Sequence, residues 1–312
     1  MSQYPESVQS LLKLAAQAAE QTDYERALRY LNQALAIEPD FTIIQAYLET
    51  AQAADSKPAL RQLLRAPETV RAFAQAGRLP DYWQALWSAG LYLTLDQSGY
   101  DLDQNQIEMS VAERATWQDW VAQVAPLQLT SAEFAHWQQR LAQLTVTQLN
   151  GAVADFFVDL ATVPPQSFYR LSQTLLLNEL LSPVIRFQLL LEAAAMSAAH
   201  DLTIAWQGKV RQFSSQVLRD FEQRDPYLAL KEGIGQAVAQ GGLPDSERAL
   251  AQSNLLTYLM LTTPFSSEEL RPLTDWQQLI LTGTAPAEVD PTVGARLNFW
   301  QQEERKLLRS LQ

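Results

Sequence analysis

Along most of this chain apolar side chains recur every third or fourth position, the spacing that places them on one face of a helix. Between Ser7 and Glu20, Val8, Leu11, Leu12 and Ala15 share one side. The polar Gln21-Thr22-Asp23 interrupts the pattern. Asp23 is placed to cap the next helix, because its carboxylate can accept from first-turn N–H groups that have no partner within the helix. From Tyr24 to Ile37 the apolar set is Tyr24, Ala27, Leu28, Leu31, Ala34 and Leu35, and Pro39 stops the run. A third helix is predicted from about Phe41 to Ala54. The short turn makes the first two helices antiparallel neighbours, and the small Ala15, Ala18, Ala27 and Ala34 let them approach closely.

Beyond residue 57 the same periodicity predicts helices over 58–76, 80–95, 110–124, 131–144, 147–162, 166–181, 183–199, 202–223, 227–240, 245–262, 267–282 and 293–311. Capping boxes pair Ser110 with Glu113, Thr130 with Glu133 and Ser266 with Glu269. Leu202, Trp206, Val210, Phe213, Val217 and Phe221 form a near-heptad stripe, so 202–223, capped by Asp201, reads as the spine of the C-terminal part. After the break at Thr284–Pro291, a last helix is expected to bury Leu297, Trp300, Leu307 and Leu311. The expected fold class is all-α, in two parts. Residues 1–57 form a helical hairpin with a third helix behind it. Residues 58–312 form a helical body, with a subdivision near 96–108 or 164–165 left open by the polar stretch Asp96–Glu108 and by Pro164-Pro165.

The N-terminal pattern resembles one tetratricopeptide repeat. The residues that carry the likeness are Leu11-x-x-Leu14-Ala15-x-x-Ala18, then Asp23-Tyr24-Glu25-Arg26-Ala27-Leu28, then Leu31, Ala34 and Pro39, in the register of that roughly 34-residue unit. The usual Trp, Gly and Tyr of its first helix are replaced by Leu11, Ala15 and Ala18. Phe41–Ala54 is similar to the first helix of a second repeat, whose partner helix does not follow the pattern. The resemblance implies a concave surface lined by Gln9, Leu12, Ala16, Ala19 and Glu20, with Ile43, Ala46 and Thr50. It implies as occupant a partner helix or an apolar peptide. Leu12 and Ala16 stand where one subgroup of the family clamps terminal carboxylates with polar residues, so a small apolar groove is expected instead. One and a half repeats cannot bury their own faces, so this part must dock on the rest of the chain or on a partner.

Composition supports the helical reading: 47% of residues are apolar, and Gly is scarce at 11 of 312. The absence of Cys excludes disulfides, thiolate metal sites and a Cys nucleophile. A net charge of −12 opposes nucleic acid and anionic lipid as partners, since both attract clustered cations. The densest basic group, Arg305, Lys306 and Arg309, adjoins Glu303 and Glu304 and reads as a solvated helix face. MSQYPESVQS lacks the features of a secretory leader. The most apolar window, Val184–Ala199, is interrupted by Arg186 and Glu192 and is too short to span a bilayer. A cytoplasmic location is therefore expected, and the scarcity of Lys beside Arg and Gln suggests a bacterial chain.

Motifs for chemistry are weak. Asp101-x-Asp103-x-Asn105 opens like a calcium loop, but Gln106 stands where the turn Gly belongs and Ala112 where the closing Glu belongs. His136 and His200 are the only histidines, and neither has carboxylates at metal spacing. Gly233-Ile234-Gly235 is half of a dinucleotide fingerprint with no preceding strand. Glu268-Glu269 and Glu303-Glu304 are sequence neighbours, which a helix points about 100° apart. The aromatic pairs Trp83/Trp87, Trp117/Trp120 and Phe134/Trp137 stand at helical spacing and fit core packing, with exposed binding anchors as the other reading. No catalytic residue, metal site or cofactor is expected. The expected function is a scaffold, adaptor or assembly factor that binds another protein. The alternative is a helical protein for a small molecule or lipid, or an enzyme with a scattered site.

Overall fold

The hairpin at the N-terminus forms where its periodicity places it. The computed structural model describes residues 6–144, 152–241 and 245–310. In it α1 (Glu6–Glu20) and α2 (Tyr24–Ile37) are followed by α3 (Phe41–Ala53). Asp23 caps α2 by accepting from Arg26 N at 3.2 Å, and Asp40 caps α3 by accepting from Thr42 N at 2.7 Å. Ala15, Ala18, Ala27 and Ala34 are all buried, so the small side chains do line the close helix contact.

Next come α4 (Lys57–Leu64), α5 (Pro67–Gln75), α6 (Leu79–Ser88), α7 (Tyr92–Gln104) and α8 (Val111–Val124). The helix expected over 58–76 is two helices. Pro67 cannot donate into a helical ladder and instead starts α5. The one expected over 80–95 ends at Ser88, followed by Gly90 at φ 70. The polar stretch Asp96–Glu108 is no boundary: most of it lies in α7, with Asp96, Gln97 and Ser98 buried. The Ser110–Glu113 capping box of α8 is present. Each helix packs on the next, and α3 also meets α5, α4 meets α6 and α6 meets α8. The result is a stack of helices joined by short turns, cored by Ile43, Ile44, Leu64, Leu79, Trp83, Leu86 and Leu91.

After α9 (Ser131–Leu144) come α10 (Ala152–Leu160) and α11 (Pro165–Leu176). The start of the helix expected over 147–162 lies outside the described residues. The chain divides into two compact units that interleave in sequence. The first is Met1–Thr130 with Ala154–Phe168; the second is Ser131–Val153 with Tyr169–Gln312. Hydrogen bonds tie 154–168 to the first: Leu93 N donates to Ala161 O at 3.1 Å, and Leu129 N donates to the Ser167 side-chain Oγ at 2.9 Å. The helices of residues 1–57 are not set apart from 58–130; they share one core with them.

The second unit continues with α12 (Pro183–Ala195), then departs from expectation. Residues 201–214 are a β-hairpin, β1 (Asp201–Trp206) and β2 (Lys209–Ser214), antiparallel with Leu202 opposite Phe213 and Trp206 opposite Lys209. Two 3-10 turns, Ser215–Leu218 and Phe221–Gln223, replace the rest of the expected 202–223 helix. The turn residues Gln207 and Gly208 have φ of 50° and 73°, the pair of positive values that a two-residue hairpin turn requires. The remaining helices are α13 (Tyr227–Gly241), α14 (Asp245–Thr262), α15 (Ser266–Glu269), α16 (Leu273–Thr282) and α17 (Pro291–Ser310). Pro272 splits the helix expected over 267–282. The spine is α14, which packs on α12, α13, α15, α16 and α17. The described residues include seventeen α-helices and this one two-stranded sheet, so the chain is all-α in class. None of the described helices is long and apolar enough to cross a membrane.

Two buried phenols give the fold a pH dependence. Tyr82 in α6 donates to Leu64 O at 3.0 Å, and Tyr258 in α14 donates to Glu304 Oε2 at 2.7 Å. Burial raises both above the ordinary phenol value, and for Tyr258 the Glu304 hydrogen bond and charge act in the same direction. Above about pH 10 the unfolded chain releases protons that the folded chain retains, so stability falls as pH rises. In an alkaline titration the Y82F/Y258F variant is expected to lose stability less steeply than wild type. Equal slopes in urea melts at about pH 8 to 11 would rule out this contribution.

Candidate functional site

The residues expected to line a groove differ in their access to solvent. Ile43 is fully buried at 0% exposure in the core of the first unit, because the α3 face that carries it is covered. It cannot meet a partner as expected. Leu12 and Ala46 are half-buried against the same core. Gln9, Ala19 and Thr50 are half-buried, with Thr50 Oγ1 donating to Ala46 O at 2.7 Å, while Ala16 and Glu20 are exposed.

A concave surface lies on another side of α3. Phe41, Leu48 and Gln52, one helical face, meet Phe73 of α5 and Ala85 of α6 around a groove of about 210 Å³. Phe41 and Phe73 pack edge to face at 5.1 Å, and Phe73 leans on Tyr82 at 5.5 Å. Arg78 also lines it, 5.9 Å from the Phe41 ring centre and ion-paired with Asp81. Glu49 lines the groove with an exposed carboxylate.

The second unit holds a larger cleft of about 360 Å³ between the start of α12, the hairpin turn and α17. Its wall is set by Glu269. That carboxylate accepts from Trp300 Nε1 at 3.0 Å, Trp206 Nε1 at 3.5 Å and Gln207 Nε2 at 3.3 Å. Its backbone carbonyl accepts from Trp276 Nε1 at 3.0 Å. The expected Ser266–Glu269 capping box is therefore not made: Ser266 is the first residue of α15, and its hydroxyl bonds Thr262 at 3.0 Å. Trp206 and Trp300 stand with ring centres 5.6 Å apart, and Phe299 packs on Trp300 at 4.9 Å.

Arg186, in the first turn of α12, lines the same cleft with Glu303 of α17. Its guanidinium lies 4.8 Å from the Trp206 ring centre, and Nη2 donates to Leu261 O at 2.8 Å. Nε is buried without a hydrogen-bond partner among the described residues. Burial pushes the Arg186 pKa down to about 10, with the Glu303 charge partly opposing that shift. Glu303 itself pairs with Lys306 at 2.6 Å. In the sequence Arg186 showed only as a charge breaking an apolar window, although a charge in such a window is a signal of burial with a partner.

The weaker motifs resolve locally. Asp101, Asp103 and Asn105 lie on and just after the last turn of α7, where helical backbone does not present alternate residues to one point. Asn105 instead bonds Asp101 O at 2.7 Å and Arg71 at 2.8 Å. Among the described residues there is no group of three His, Cys, Asp or Glu able to hold a metal ion. His136 is exposed, and His200 stacks on Tyr169 at 4.6 Å. Gly233 and Gly235 are inside α13. Glu268 turns to Arg211 at 2.9 Å, away from its neighbour Glu269. Trp83 and Trp137 are buried, whereas Trp87, Trp117 and Trp120 are half-buried. Compared with models of known protein families, with curated proteins and with solved structures, the chain has no match in any of the three.

Proposed function

We propose that this protein is a non-enzymatic adaptor or assembly factor whose first unit holds a short segment of a partner protein. The observation that carries the reading is the groove between α3, α5 and α6, with a rigid aromatic floor at Phe41 and Phe73. Its volume admits one large apolar side chain rather than a whole cofactor. The exposed Glu49 and the net charge of −12 favour basic residues beside that anchor. The partner is therefore a helix or extended peptide with one bulky apolar residue flanked by Lys or Arg. The resemblance of residues 8–41 to a tetratricopeptide repeat supports the same reading, as does the stacking of α1 to α8.

The test is selection of displayed peptides on the intact protein, followed by anisotropy titration. Enriched peptides are expected to share the apolar anchor and basic flank. Ala85→Trp, which fills the groove, should weaken binding at least tenfold, on the order of 1.4 kcal/mol. Glu49→Lys should weaken it by a smaller, salt-dependent factor. No enrichment, or a folded A85W that binds as wild type, defeats the proposal.

A further inference from the structure

The cleft of the second unit carries a separate inference, independent of the groove. Arg186 is half-buried with its Nε shut off from water, and among the described residues its only hydrogen bond goes to a neutral acceptor, Leu261 O at 2.8 Å. Its Nε has no partner there, and no carboxylate of the described residues forms an ion pair with it. A charge removed from water is expensive to hold unless an opposite charge meets it. Glu303 acts on it only from beyond ion-pair distance and is engaged with Lys306. An incoming carboxylate would complete the set, since a guanidinium presents a planar fork of donors that matches two carboxylate oxygens.

The rest of the cleft specifies what the carboxylate is attached to. Trp206 and Trp300 flank it, held in place by the shared Glu269 carboxylate before any ligand arrives. Such preorganisation lowers the ordering cost of binding. Apolar surface is left open at the rim: Leu180 is 83% exposed and Phe299 40%. At about 360 Å³ the cavity is at the small end of ligand sites, which run from roughly 300 Å³ upward. It fits one ring or one branched chain.

We propose that this cleft binds a carboxylate joined to a single aromatic or branched aliphatic group, with Arg186 taking the carboxylate and Trp206 and Trp300 flanking the apolar body. That chemistry is offered both by a small organic acid and by the terminal residue of a peptide. Calorimetric titration of the full chain with 3-phenylpropanoate and with acetyl-Ala-Ala-Phe bearing a free carboxylate separates the two sources. Binding of either probe, with its amide at least tenfold weaker, is the expected result. A tighter tripeptide identifies a chain terminus and a tighter free acid identifies a small ligand. Arg186→Gln should reduce affinity at least tenfold, and Arg186→Lys less.

Because Arg186 also bonds Leu261 O, R186Q could fail for lack of folding, so a second variant decides. Glu303→Gln removes the competing negative charge and should tighten carboxylate binding several-fold while leaving amide binding unchanged. An arginine that serves packing alone gives no such gain. A85W should bind the probes as wild type, which keeps this site distinct from the groove. No binding at millimolar probe, equal binding of acid and amide, or an unchanged affinity in E303Q each overturns the proposal.

Discussion

Trp276→Ala is expected to destabilise the second unit by about 3–5 kcal/mol, the range for deleting a fully buried large aromatic. Trp276 is 0% exposed and packs edge to face on Tyr258 of α14 at 5.1 Å. Its indole N–H also bonds the backbone carbonyl of Glu269, so truncation leaves both a cavity and a part-buried acceptor without its indole donor. A loss of that size lowers Tm by roughly ten degrees in a unit of this size. The effect should also reach the cleft, because Glu269 orients Trp206 and Trp300. Urea melts read by far-UV circular dichroism give the energy, and near-UV spectra report the indole environment. Trp276→Phe keeps most of the packing and should lose less than half as much. A W276A variant within about 1 kcal/mol of wild type would mean that α14 and α16 do not rely on this contact.

Gly99→Ala is the second large effect, and its sign is the informative part. In an exposed helix this change stabilises by about 1 kcal/mol. In α7 the added methyl would come within 2.8 Å of three atoms of the Trp117 indole. Trp117 would have to move and lose its hydrogen bond to Leu95 O at 3.4 Å. The expected net result is a destabilisation of about 1–3 kcal/mol in the first unit. Trp117→Leu in the same chain should relieve the clash, so the double variant is expected to be more stable than the sum of the singles. A G99A chain that melts above wild type would show that α7 and α8 can part at little cost.

Much of the helical order was legible because burial in a stack of helices imposes a 3.6-residue period, and Pro67 and Pro272 then account for two of the helices being shorter than the period alone suggests. The hairpin at 201–214 was not legible from its stripe. Leu202, Trp206 and Val210 are four apart, and four is both about one helical turn and two strand repeats. Burial separates the two readings after the fact: Leu202, Ile204 and Trp206 alternate inward along β1, while Val210 is 68% exposed and Val217 49%. The Gln207-Gly208 turn was the available signal. For the site, periodicity identified α3 but not the face that lines the groove, since Ile43 and Phe41 both belong to apolar rows of the same helix. Arg186, Glu269, Trp206 and Trp300 come from α12, α15, the hairpin and α17, and only the tertiary arrangement brings them together.

The interleaving of the two units has a consequence during synthesis. A ribosome releases Ser131–Val153 before Ala154–Phe168, yet the earlier segment belongs to the later unit. The first unit cannot close until Phe168 has left the exit tunnel. Through that interval residues 131–144 trail as nascent chain of a unit whose remainder, beginning at Tyr169, has yet to be translated. This order of emergence gives chaperones that act on nascent chains a defined window, and it means that neither unit can be obtained by a single cut of the gene.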